Sequence, residues 1–101
     1  MPDVTENTEE QRYEIRVDGE LAGFAEWRGR ERVRAFTHTE IDPRFEGQGL
    51  GSQLIAAVLD DQRATGHNVV PICPFVHAYL SRHPEYLDVV EPHIQRAFHL
   101  V

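Results

Sequence analysis

The sequence predicts an α/β protein: an antiparallel meander, then a glycine-rich loop, a helix, a strand and a second helix. Three observations carry this. Residues 12–41 alternate between apolar and polar side chains and are interrupted twice by turn formers. Gly47, Gly49 and Gly51 then fall within five residues. Beyond them the apolar period lengthens from two to between three and four residues, which marks a helix.

Each element has its own signal. Residues 1–11, MPDVTENTEEQ, are polar and acidic. They predict a mobile tail that is not a signal peptide, leaving one small domain over 12–101. RYEIRV sets Tyr13, Ile15 and Val17 on one face and Arg12, Glu14 and Arg16 on the other, a half-buried strand. Asp18-Gly19 is a strong hairpin signal, because both residues tolerate positive φ. ELAGFAEWRG is the return strand, with Phe24 and Trp27 packing on the sheet, and Gly29-Arg30-Glu31 reads as a second turn. RVRAFTHTEI, rich in β-branched and aromatic residues, is a third strand. After the glycines, Leu50, Leu54, Ile55, Val58 and Leu59 recur at helical spacing, and Gly66 fits the position that ends a helix. NVVPIC, residues 68–73, is nearly all apolar and predicts a strand buried on both faces. Pro74 opens a helix from about Phe75 to Arg82, Pro84 stops it, and a last short helix is expected near the C-terminus.

Composition narrows the function classes. Ten basic against seventeen acidic residues give a net charge of −7, which argues against a nucleic-acid binder and favours cationic partners. A single cysteine, Cys73, excludes an internal disulfide and suits a reducing, cytoplasmic compartment. The longest wholly apolar run, Leu54 to Leu59, is far too short to span a bilayer. His77 and His83 with Cys73 do not have zinc-site spacing, so no metal is expected.

A strand, a glycine-rich turn and a helix form a phosphate-binding arrangement. Helix N-termini carry unpaired N–H groups, and glycines let the backbone approach an anion with no Cβ in the way. The competing reading is a tight turn with close packing of helix on sheet. The P-loop pattern is excluded, since no lysine follows Gly51. A dinucleotide fingerprint is excluded as well, because the spacing is GxGxG and follows a third antiparallel strand.

The pattern that fits is [Q/R]-x-x-G-x-[G/A], matched by Arg44-Phe45-Glu46-Gly47-Gln48-Gly49. It resembles the acetyl-coenzyme A loop of the GNAT superfamily of N-acetyltransferases. Ile41-x-Pro43 before it and Gly51-Ser52-x-Leu54-Ile55 after it strengthen the likeness. FTHTE (36–40), PICPF (71–75) and RHPEY (82–86) are similar to small, single-domain YjdJ-type members. The resemblance spans about residues 12–90.

The resemblance implies a minimal GNAT fold. The strand after the first helix would pair in parallel with the third strand and then splay from it. It also implies that backbone amides from Arg44 through Ser52, chiefly Phe45, Gly47, Gly49 and Gly51 with Gln48 and Leu50 between them, hold the coenzyme pyrophosphate. Arg44 would add a side-chain contact. Glu46 departs from the pattern, since many relatives carry a basic residue there. Thr39, Glu40 and Ile41 would offer strand backbone to the pantetheine arm, and Cys73 would face the thioester. Tyr79, in Tyr79-x-x-x-His83, corresponds to the tyrosine that often protonates the departing thiolate in the family. His83-Pro84 replaces the family's Gly-Phe.

Each of these residues also has a plain reading. Cys73 is a nucleophile or a small buried hydrophobe. Tyr79 is a general acid or a packing aromatic. His38 and Glu40, two apart on one strand face, are a base for an incoming ammonium or a solvated pair. The expected function is acetyl transfer from acetyl-coenzyme A to a primary amine. Asp18-Gly19 closes the first connection where larger members insert helices. The acceptor side is therefore expected to be open, suiting a protein or peptide terminus, a lysine side chain or a partner-completed site better than an enclosed metabolite. Two other readings stand beside it: a coenzyme-A-binding module acting as sensor or partner subunit, and an interaction domain with a structural turn. Exposed sheet edges leave monomer and homodimer both open.

Overall fold

The computed structural model describes residues 2–101. Five strands form one sheet in sequence order: β1 (Asp3–Asn7), β2 (Arg12–Val17), β3 (Glu20–Arg30), β4 (Val33–Ile41) and β5 (Asn68–Pro71). The first four pair antiparallel, β2 to β4 as the sequence predicts, and β4 with β5 is parallel, as the resemblance implies. Helix α1 (Leu50–Thr65) is the crossover joining β4 to β5, followed by α2 (Pro74–Arg82). A 3₁₀ segment (Pro84–Val89) and a short helix, α3 (Pro92–Ala97), close the chain.

The apolar stripe of α1 lands where the periodicity puts it. Leu50, Leu54, Ile55, Val58 and Leu59 are buried against Tyr13, Ile15, Ala25, Trp27 and Phe36 of the sheet. Gly66 takes the left-handed conformation at the C-cap, and its N–H returns to the Gln62 carbonyl at 2.9 Å. Asp18 and Gly19 both have positive φ in the first hairpin.

Three expectations need correction. Residues 1–11, read as a mobile tail, contain β1, which pairs with β2 from Asp3↔Arg16 to Asn7↔Arg12. Strand pairing needs a free edge more than it needs apolar residues. Val4 reaches the core, and Glu6 meets Arg34 of β4 at 3.0 Å, ties that composition does not reveal. The second turn lies one step later than read: β3 runs through Arg30, and Glu31 supplies the positive φ. Residues 68–73 are not a strand buried on both faces. The strand stops at Pro71, Val69 and Pro71 are buried, Val70 is half-buried and Ile72 is exposed. As the sheet's last strand, β5 pairs on one side only, with β4.

Candidate functional site

The site begins where two strands part. β5 pairs with β4 only from Val33 to Phe36, and the Cys73 N–H makes the last link, to the Phe36 carbonyl at 2.8 Å. β4 continues to Ile41 with no strand neighbour on that edge among the described residues. A register shift against β3 falls at the same place: Glu26 faces His38 and Trp27 faces Phe36, so Thr37 is an extra residue. A bulge bends its strand and resets which groups face outward. The Asp42 N–H bonds to the Ala22 carbonyl at 2.8 Å, back toward β3. By alternation, Glu40 directs its backbone groups to β3, while Thr39 and Ile41 present theirs to the open edge. Thr39 and Ile41 therefore offer the expected backbone groups, and Glu40 does not.

After Ile41 the chain makes a 3₁₀ turn, Pro43–Phe45, capped by the Asp42 carboxylate on the Arg44 N–H at 2.9 Å. The guanidinium of Arg44 folds back on the same carboxylate, with Nε at 3.2 Å and Nη2 at 3.3 Å, and on Glu20 at 3.7 Å. The backbone N–H of Arg44, then its side chain, holds the Asp42 carboxyl below its ordinary range. The Arg44 side chain, expected at the phosphate, is thus engaged by carboxylates. Gln48 is exposed on the loop.

The loop's glycines divide by task. Gly47 has φ +82 and Gly49 φ +71, and a Cβ at either would stand in open space. Both are needed for the left-handed backbone. Gly51 has no unusual φ, but a Cβ there would lie 2.8 Å from the ring of Phe75. The amides of Gly47, Gln48 and Gly49 find no hydrogen-bond acceptor among the described residues. The first N–H that α1 satisfies is that of Gln53, on the Gly49 carbonyl at 3.2 Å. Its N-cap is a glycine with no side chain, and no acidic residue lies in its first turn. The N–H groups of Leu50, Gly51 and Ser52 are therefore the helix's orphan donors, joined to the positive end of its dipole. Ile41, Phe45, Glu46, Gly47, Gly49, Leu50, Gly51, Ser52 and Phe75 line one groove of about 250 Å³.

Cys73 caps α2 and is 3% exposed, and its Sγ lies 3.4 Å from the Thr39 hydroxyl, joining the two sides of the splay. His38 Nε2 and Glu40 Oε1 are 3.1 Å apart on the solvent side of β4. Tyr79 is 6% exposed, with its ring stacked on His83 at 4.2 Å and tilted against Tyr86 at 6.0 Å. Burial, then Glu85 and Asp60, push its phenol upward against the opposing pull of Arg82. Six residues along α2, Tyr79 lies about 9 Å further down the axis than Cys73 and on another face of the helix. The structure unites the loop, the β4 edge and Cys73, and it leaves Tyr79 among the C-terminal packing. The residue that sequence reasoning missed is Phe75. Its only sequence signal is an aromatic directly after the proline that opens α2.

A family model described as GCN5-related N-acetyl-transferase matches residues 12–89, most of the chain. The chain belongs to the GCN5-related N-acetyl-transferase family. Among solved structures it is similar to a GCN5-like N-acetyltransferase candidate from Staphylococcus aureus. That match has a TM-score of 0.67 at 21% identity and covers 88% of this chain and 87% of that one. It is also similar to Ard1 from Thermoplasma volcanium, with a TM-score of 0.52 at 27% identity over 60% of this chain. The chain spans 43% of the length of Ard1. No curated protein sequence matches. The family's fold accounts for the parallel crossover and for the glycine loop at the start of α1. Among the described residues no group of three or more histidine, cysteine or acidic side chains could hold a metal ion. None of the described helices is long and apolar enough to cross a membrane.

Proposed function

We propose that this chain transfers an acetyl group from acetyl-coenzyme A to a primary amine. The supporting observation is the uncapped start of α1. Amides 47–52 lack partners among the described residues, no acid stands in the first turn, and the groove they line adjoins the edge of β4 beyond its pairing with β5. An anion satisfies these donors, and a diphosphate is an anion of matching shape. An extended arm beyond it pairs with backbone at Ile41 and Thr39 and brings its thioester toward Cys73.

In the reaction a neutral amine attacks the thioester carbonyl carbon, the C–S bond breaks and the thiolate takes a proton. The His38–Glu40 pair, open to solvent beside the splay, accepts the proton of the incoming ammonium. Direct attack needs no thiol, so Cys73 acts as a buried wall of the acyl end. Tyr79, stacked on His83 and packed against Tyr86, stands apart from the splay, so the thiolate takes its proton from solvent there. The chain has ten arginines and no lysine, so a lysine acceptor must belong to another molecule.

The test is thermal unfolding with acetyl-coenzyme A, with ATP and NAD as controls, followed by turnover with a panel of amines. Ligand at about 100 times its Kd stabilises by about 2.7 kcal/mol, several degrees for a domain of this size. A shift specific to the coenzyme supports the proposal, and turnover separates an enzyme from a binding module. No shift at millimolar ligand overturns it.

A further inference from the structure

The outer wall of the groove is an aromatic side chain with no role so far. Phe75 is the second residue of α2, placed by Pro74 at the helix start. The three atoms nearest to a Cβ built on Gly51 all belong to its ring, at 2.8, 3.3 and 3.5 Å. The closest is a rigid ring carbon, so only glycine lets the ring rest there. One of the loop's three glycines thus serves an aromatic on another helix. The ring is not buried by this contact: Phe75 remains 38% exposed and lines the groove with Ile41, Phe45 and Leu50. A single exposed phenylalanine means little. Here, however, it faces other apolar side chains across a groove whose far wall is a row of unpaired N–H groups. Such a groove suits a ligand in which an anion is followed by an uncharged chain.

We propose that Phe75 is a ligand-contact residue that reads the uncharged pantetheine arm next to the diphosphate, and that Gly51 lacks a side chain in order to seat it. The inference rests on the coenzyme reading above and deepens it. Pantetheine carries a dimethyl-substituted carbon and amide groups, and an aromatic face packs on such alkyl groups without needing a hydrogen bond. An anion that lacks the arm sits on the loop amides and does not touch the ring. Phe75 therefore separates the coenzyme from free nucleotides, which the amides alone do not.

The experiment is calorimetric titration of the full chain, wild type and Phe75→Ala, with two probes. One is coenzyme A. The other is 3′-phosphoadenosine 5′-diphosphate, which keeps the nucleotide and diphosphate and lacks the arm. Phe75→Ala is expected to weaken coenzyme A by about tenfold or more and to leave the armless probe within about twofold. Gly51→Ala, which displaces the ring, should likewise weaken coenzyme A. The double variant should be no worse than either single one, because both act through the same contact. If Phe75→Ala does not fold, Phe75→Leu carries the comparison, since it keeps apolar bulk and removes the flat face. Unchanged coenzyme affinity, or equal weakening of both probes, overturns the inference; the second result would mean that the ring only props up the loop. If the wild type binds neither probe, the coenzyme reading itself fails and takes this inference with it.

Discussion

The two ends of helix α1 are built in opposite ways. At the C-terminal end, most polar groups in and around the core find partners, the buried Trp27 Nε1 being an exception. Gln62 is fully buried and donates to the Tyr13 hydroxyl at 2.6 Å and to the Val58 carbonyl at 3.1 Å. The Tyr13 hydroxyl in turn donates to the Asp61 carboxylate. Arg34 donates to Tyr13 Oη at 3.1 Å, lies over the Trp27 ring at 4.0 Å and pairs with Glu6 of β1. Burial, then the bond to Asp61, pushes the Tyr13 phenol far above its usual value. Arg63 grips Asp88 with two bonds of 2.7 Å. At the N-terminal end there is no cap, no acid and a row of donors without acceptors. One helix thus carries a closed end that holds the sheet, helix and first strand together, and an open end whose donors are unmet among the described residues. With the coenzyme bound as proposed, stability and binding would be separable, because they would sit at opposite ends of the same rigid rod.

Substitutions should show that separation. Leu59→Ala empties a fully buried site and should cost about 3 kcal/mol, a fall in Tm of more than ten degrees. Coenzyme affinity of the folded protein, measured at low temperature, should not change; a matching loss of affinity would mean that the ends are coupled. Tyr13→Phe leaves Gln62 and Asp61 without their shared hydroxyl and should cost about 1–3 kcal/mol in urea unfolding, again with binding intact. Gly49→Ala should invert the pattern. Forcing an alanine to φ +71 costs about 1–2 kcal/mol, yet coenzyme affinity should fall more than about tenfold, because the new methyl group intrudes on the surface meant for the ligand.

Two charge effects are smaller. Glu46 lines the groove and is exposed, so Glu46→Gln should tighten coenzyme binding by at most about fivefold at low salt, and the gain should vanish at high salt. Glu14, on the sheet face away from α1, is pushed upward by burial. Hydrogen bonds from Arg16, Arg12 and Asn7 outweigh this and hold it below its ordinary 4.5. A carboxyl depressed in the folded state binds fewer protons there than when unfolded. Its contribution is complete above about pH 4.5 and is lost as pH falls below that value. Glu14→Gln should therefore flatten the decline of Tm between pH 5 and 3, measured against wild type.

The sequence by itself determined the elements whose signals are local. Alternation in RYEIRV and RVRAFTHTEI placed β2 and β4, Asp18-Gly19 placed the hairpin between β2 and β3, and the leucine and valine spacing after Gly49 placed α1 and its buried face. The loop was legible because two glycines at positive φ and a helix without a cap leave a mark within six residues. Tertiary structure alone decided the rest, since those features depend on pairs far apart in the chain. β1 exists because β2 has a free edge and Glu6 finds Arg34, 28 residues further on, across the sheet. The splay depends on where β5 stops pairing with β4 and on the bulge at Thr37. Tyr79 is turned away from Cys73 by the helical rotation between them and by its stacking on His83. The third glycine is explained only by Phe75, 24 residues away, because a close approach between two helices is a property of their packing and leaves no periodic trace in either one.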